Sequence, residues 1–360
     1  MKVIAKSACV LLLSSTSAFA GGFELQTLNT ASLYEEGNYG AFSFAKINSN
    51  LSGSGVDQQK VKTLKDQSIA NAELKFETDK LDIGLVSFRS GAIQMSGDNN
   101  PGGNFAPSIN ANLNSIALLA KYSLGQNIDL IAGAKHNSLS AFNLTSLYGS
   151  YDISAKSNVS YVAGVAYSIP EIALRAEILL QPGSEISTTG AFIGSAGLGN
   201  ATGSVQANLK TPQTITLNFQ TGIAEGTLIT GSIHHAKWGA AQTTATVETG
   251  VPQLNQAAKV SSEFGDTTRY SVGLGRKFSD TLSGSLSYSY EAGGGAKSDS
   301  VFTMSNGSRA LSVGVKYSLE SFDVSFGASR TTFGDVTVKD VLVYSGNTAT
   351  TFGVKVSTKF

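Results

Sequence analysis

The chain has three histidines, His136, His234 and His235, and one cysteine, Cys9. Nucleophilic or metal chemistry would have to be built from these. Ester hydrolysis needs a histidine hydrogen-bonded to a serine and oriented by a third polar group. Serines abound, but none stands in a nucleophile motif. His234 and His235 are neighbours in an alternating run, and strand neighbours point to opposite faces, so they cannot share one ion. There is no glycine loop ending in Lys-Ser/Thr to cradle phosphates. These residues imply no catalytic site, no metal and no cofactor, and a lipid hydrolase stands only as the enzyme-class alternative.

The chemistry that remains is binding. Several stretches without strand alternation are oily: 102–107 with Phe105, 141–148 with Phe142, Leu144, Leu147 and Tyr148, and 191–198 with Phe192, Ile193 and Leu198. Apolar side chains on loops suit a groove that captures a greasy molecule. Near the start, Phe23, Leu25 and Leu28 need somewhere to pack. A cation at such a groove would hold a carboxylate. Lys60, Lys62 and Lys65 in the first loop and Arg89 are the candidates, and the alternative for all four is pairing with lipopolysaccharide phosphates at the outer leaflet.

The elements that position these residues are strands. Leu286, Tyr288 and Tyr290 alternate with serines, and Leu311, Val313, Val315 and Tyr317 alternate with Ser312, Gly314 and Lys316. Period two makes a strand with one apolar and one polar face. Fourteen such strands are expected near 40–52, 67–79, 81–95, 111–124, 127–142, 151–168, 171–181, 204–223, 227–244, 263–278, 281–293, 307–319, 321–337 and 348–360. Six connections are tight turns and the seven between them are mostly long, in strict alternation. An even strand number with short turns on one side and long loops on the other describes an outer-membrane barrel.

Composition and targeting agree. Residues 1–20 have a basic start, an apolar stretch and Ala18-Phe-Ala20, the pattern of a cleaved secretory signal. Charged residues make up only 14% and glycines number 39, sparse and dispersed as in a transmembrane barrel. The charge balance is even, and −2 without Lys2 and Lys6, which leaves no basic footprint for nucleic acid. Charges facing lipid at mid-membrane cost about 2–4 kcal/mol for Arg or Lys. The rows with Glu73, Lys75, Arg175, Glu177 and Lys355 are therefore expected to face a lumen. Tyr39, Tyr122, Tyr167, Tyr317 and Phe278 fall near the turn-side ends, as an aromatic girdle would.

The fold class expected is thus all-β, a transmembrane antiparallel barrel of about fourteen strands over 39–360. Residues 21–38, with Glu35 and Glu36, form a short N-terminal plug in the lumen. Glycine tolerates a bulge inside a strand, which makes Ser90 and Gly91 candidates for a kink. A general porin for polar solutes is the alternative, and would need an open lumen and polar loops.

The chain resembles the FadL-type family of outer-membrane hydrophobic-compound transporters. The resemblance lies in Gly22-Phe-Glu-Leu-Gln26, in Thr211-Pro-Gln-Thr-Ile-Thr-Leu-Asn-Phe219, and in His234-His-Ala-Lys-Trp238-Gly. It implies passive uptake of fatty acids or related lipophiles by a monomer, with a lateral gate at Ser90–Gly91. The terminal Phe360 resembles the signal that barrels present to their assembly machinery. The family's early Asn-Pro-Ala element is missing between Tyr34 and Ser54, so the plug is expected to be short.

Overall fold

The computed structural model describes residues 23–55, 60–97, 106–295 and 297–360. The expected signal peptide lies outside the described residues. Fourteen antiparallel strands form the wall: β1 (Tyr39–Asn50), β2 (Gln67–Phe76), β3 (Leu81–Met95), β4 (Ser108–Gly125), β5 (Ile128–Leu139), β6 (Lys156–Ile169), β7 (Leu174–Gln181), β8 (Thr214–Ala224), β9 (Thr227–Ala236), β10 (Thr267–Lys277), β11 (Leu282–Glu291), β12 (Ser308–Ser318), β13 (Asp323–Phe333) and β14 (Thr348–Lys359). Each pairs with its sequence neighbour, and β14 returns to β1 from Tyr39↔Lys359 to Asn50↔Thr348. Closure leaves no open edge, which a membrane requires of any sheet.

Side-chain alternation sorts the two faces. Phe42, Phe44, Leu118, Tyr161, Leu311 and Phe326 are among the exposed apolar residues of the outer surface. Inside, charges pair across strands: Lys121 with Asp82 at 2.7 Å, Lys75 with Asp82 at 3.6 Å, and Lys355 with Glu73 at 3.3 Å. Tyr122, Tyr167, Tyr317 and Phe278 are exposed near the turns. Tyr39 departs from the expected girdle. It is 3% exposed, because Phe42 and Phe44 take the outward positions and parity sends residue 39 inside, against Lys355.

All six short connections lie at one end. Gln126 and Asn127 both take positive φ, 53° and 67°, as a type I′ hairpin turn requires. At the other end the chain builds a roof. The hairpin Phe142–Ser146/Gly149–Ile153 and the hairpin Ser184–Gly194/Thr202–Thr211 extend the wall, and Thr244–Thr249 continues it. Five short strands, Ser52–Ser54, Lys60–Lys62, Lys297–Ser298, Val336–Val338 and Leu342–Tyr344, form a separate small sheet. The segment expected as one strand over 204–223 is two elements. Pro212, which has no N–H to give a ladder, separates the roof strand ending at Thr211 from β8.

Candidate functional site

Residues 23–38 run along the inward face of the wall. A bulge in β3 supplies the first anchor. Arg89 pairs with Asn114 and Gly91 with Leu113, so Ser90 is the extra residue. A bulge leaves backbone groups outside the ladder, and buried ones need partners. Here the N-terminal segment provides them. Leu25 N–H donates to Ser90 O (3.0 Å), and Ala92 N–H donates to Phe23 O (3.0 Å). A Cβ at Gly91 would stand 3.0 Å from Phe23 O, so glycine is what lets the two backbones approach. The Ser90 hydroxyl meets Ser115 Oγ at 2.7 Å, and Ser115 donates to Asn137 Oδ1 at 2.7 Å. The bulge thereby sits on a polar ladder inside the wall.

The second anchor is ionic. Glu24 carboxylate lies 2.8 Å from His234 Nε2, and His234 Nδ1 shares a hydrogen bond with Thr216 Oγ1 at 2.8 Å. Burial alone would push the Glu24 carboxyl up. His234, Arg269 and Lys135 outweigh it and hold the group below the usual carboxylate range. Nearer the turns lies the third anchor, Glu177. It accepts from Thr30 Oγ1 (2.7 and 3.0 Å), from Tyr34 Oη (2.9 Å) and from Asn218 Nδ2 (2.7 Å). Arg175 and Lys121 stand 4.1 and 4.7 Å from the Tyr34 ring centroid, close enough for cation–π attraction. Burial and then Glu177 raise the Tyr34 phenol above its ordinary range, so it remains a donor. Leu28 and Leu33 pack beside these groups on Val86, Phe88 and Leu119.

Towards the roof the lumen turns apolar. Phe23 meets Phe264, Trp238 and Phe302 edge-on, with centroids 4.5, 5.9 and 6.2 Å apart. Such pairs contribute about 0.5–1.5 kcal/mol beyond their buried area. A cavity partly open to solvent adjoins this cluster. Ile93, Ile109, Leu113, Leu139, Phe142 and Trp238 line it, and Ser90 and Gly91 form part of its wall. Its lining is mostly apolar, with Glu24, Asn112, Lys135, Gln181, Lys210 and several threonines among the polar groups. Lys135 donates to Gln181 Oε1 at 3.0 Å.

The residues singled out in the sequence separate into groups. Phe23 and Phe142 reach the cavity with Ser90 and Gly91, while Leu25 is buried in the same cluster. Leu28 belongs to the lower cluster. Phe192 is buried against Tyr151 in the roof, 5.0 Å between centroids. Tyr148 and Ile193 are exposed on the roof, and Leu147 sits with Tyr148 in the turn after Ser146. Arg89 points outward, in register with Ile83 and Leu85, and bonds Ser68 O at 3.2 Å. It does not reach the cavity. Phe105 and the Leu198 side chain lie outside the described residues.

Trp238, Phe264, Phe302, Lys135 and Glu177 complete the arrangement. Lys135 was legible as an inward position beside the outward His136. Phe264 and Phe302 carry no local signal, because their contacts are made only when loops distant in sequence meet. Among the described residues, no group of three His, Cys, Asp or Glu could hold a metal ion.

No family sequence model and no curated protein sequence matches the chain. Solved structures do match. A Pseudomonas aeruginosa FadL homologue superposes with a TM-score of 0.75 at 12% identity, covering 94% of this chain and all of that one. The Pseudomonas putida toluene transporter TodX gives 0.68 at 12% identity, covering 95% and 96%. The Ralstonia pickettii toluene transporter TbuX gives 0.66 at 11%, covering 95% and 97%. The chain therefore has the fold of an outer-membrane barrel, and within that class it has the FadL-type fold. The closed ladder and the apolar outer belt set it in the outer membrane of a Gram-negative cell.

Proposed function

We propose that the protein is a passive outer-membrane channel for hydrophobic small molecules, with residues 23–38 acting as its plug. The observation that carries this reading is the mostly apolar cavity above the segment, walled in part by the Ser90 bulge. A lumen of fourteen strands without filler would be wide enough to leak small solutes. Three anchors hold the segment across it, which supports uptake of selected molecules over free diffusion. The structural neighbours bear the names of a FadL homologue and of toluene transporters, and this favours lipophilic cargo.

A molecule caught at the roof would enter the cavity and leave when Phe23–Leu25 detach from β3. The bulge at Ser90–Gly91 would then be the gate, releasing cargo sideways through the wall. Long-chain fatty acids are the favoured cargo in this reading, because Lys135 and Lys210 line the mostly apolar cavity beside Glu24 and offer cations to a carboxylate. Uptake of a labelled long-chain fatty acid and of toluene into proteoliposomes tests both levels. Lys135→Met is expected to depress fatty-acid uptake severalfold and spare toluene. Sugar permeation as fast as either lipophile would establish a general porin instead.

A further inference from the structure

The outward faces of the fourteen strands carry no Asp or Glu among the described residues, yet they carry five full cations. Arg276 lies near the turns and donates to Glu225 O and Thr227. The other four, Lys46, Arg89, Arg309 and Arg330, all lie towards the roof. Each follows the apolar belt of its own strand: Lys46 after Phe42 and Phe44, Arg89 after Ile83 and Leu85, Arg309 beyond Leu311, and Arg330 after Phe326. A cation is costly at the bilayer centre and tolerated near the interface. Their depth is one where charge is tolerated and headgroups begin.

The four share one arc of the wall. Lys46 on β1 faces Ser68 on β2, whose carbonyl oxygen accepts from Arg89 on β3. On the other side, β14 carries Thr350, which faces Asn48 on β1 and accepts from Arg330 on β13 at 2.7 Å. Arg330 faces Leu311 on β12, two residues from Arg309. None of the four ion-pairs with a described residue, and Arg89 Nε lacks any hydrogen-bond partner. Asp66, whose carboxyl feels Lys46, is held by Lys62 at 2.8 Å and by the Ser49 amide at 3.0 Å. At this level β4 and β5 carry Asn110, Asn114 and His136, Asn114 being the register partner of Arg89, and β9 carries His235, bonded to Thr268 at 2.9 Å.

We propose that this arc is a binding surface for a phosphorylated glycolipid of the outer leaflet, its phosphates held by Lys46, Arg89, Arg309 and Arg330. The match is one of charge and depth. Four cations that form no ion pair with a described residue, on strand faces that carry no carboxylate, face the layer where lipid phosphates lie, and arginine is the side chain suited to phosphate forks. Arg89, for which the sequence leaves open a cargo carboxylate or a lipid phosphate, takes the second because the β3 alternation turns it outward.

The test uses the full mature protein in detergent, titrated with bis-phosphorylated lipid A and read by native mass spectrometry. At about 1 kcal/mol per basic residue near an anionic surface, each neutralisation should weaken binding about fivefold. Lys46→Gln/Arg89→Gln/Arg309→Gln/Arg330→Gln should abolish detectable binding, and Arg276→Gln should leave it unchanged. Dephosphorylated lipid A should bind no better than a neutral lipid. Equal binding to the fourfold variant, or to the dephosphorylated lipid, would overturn the proposal. Phosphatidylglycerol binding as tightly would overturn the glycolipid assignment. If the fourfold variant folds poorly, wild-type binding that does not fall with salt would overturn the proposal equally. Intact hydrophobic uptake in a variant that has lost the lipid would separate this surface from the transport reading.

Discussion

The two halves of the lumen are built on opposite principles, although one segment crosses both. Near the turns, Thr30 and Tyr34 are held by a buried carboxylate, two cations at a ring face and a mesh of ion pairs on the wall. Near the roof, Phe23 is held by aromatic packing and by two backbone bonds to a bulge. Polar anchors are directional and specific, and they break when one partner is lost. Apolar contacts are non-directional, and another apolar molecule can replace them. The lower half is thus fitted to hold the segment in place, and the upper half to exchange Phe23 for cargo.

Deleting residues 23–36 removes both kinds of anchor and is the strongest way to break the comparison. Conductance to small ions in planar bilayers should rise about tenfold towards that of an open wide barrel. An unchanged conductance would mean that the segment seals nothing. Phe23→Ala attacks the upper half alone. It removes a buried aromatic at a cost of about 3–5 kcal/mol, and hydrophobic uptake should fall while ion leakage changes little. Glu177→Gln attacks the lower half. It keeps the side-chain shape but turns one accepting oxygen into a donor and removes the charge that strengthens each bond, about 1.5–3 kcal/mol for bonds to a charged group. Here the expected signature is reversed: faster protease cleavage within 23–38 and measurable leakage, with lipophile binding retained. If Phe23→Ala leaks and Glu177→Gln does not, the division of labour proposed for the halves is wrong.

The wall was legible in the sequence because its cause is local. Alternation fixes which side of Leu74 or Lys75 faces lipid, and tight turns at 77–80 and 125–127 need only their own residues. One parity error, at Tyr39, came from assigning a girdle by position along the strand rather than by counting from Phe42. The roof was less legible. The 142–153 and 184–211 hairpins alternate as wall strands do, and only Pro212 marks where one use ends and the other begins. The cavity was visible only in part. Phe23, Phe142 and the Ser90–Gly91 bulge were within reach of pattern. Phe264 and Phe302 became neighbours through long-range closure, and Glu177 took its role only when the chain terminus folded back to it.

The smallest effect lies between the two halves, at Glu24. Its carboxyl is held below the ordinary range by His234, Arg269 and Lys135, which outweigh the opposing effect of burial. A depressed carboxyl stabilises the docked segment in full above its free value, 4.5, and the contribution is lost as pH falls through the lower, docked value. Docking should therefore loosen as pH falls below 4.5 through the lower, docked value. Hydrogen exchange of the Leu25 amide, which is bonded to Ser90 O, reads this opening directly. Glu24→Gln should remove the acid dependence and leave Phe23 seated, because its aromatic contacts carry no charge. An amide whose exchange does not change as pH falls through that range would instead tie the segment to a group other than Glu24, and the ionic anchor would lose its place between the two halves.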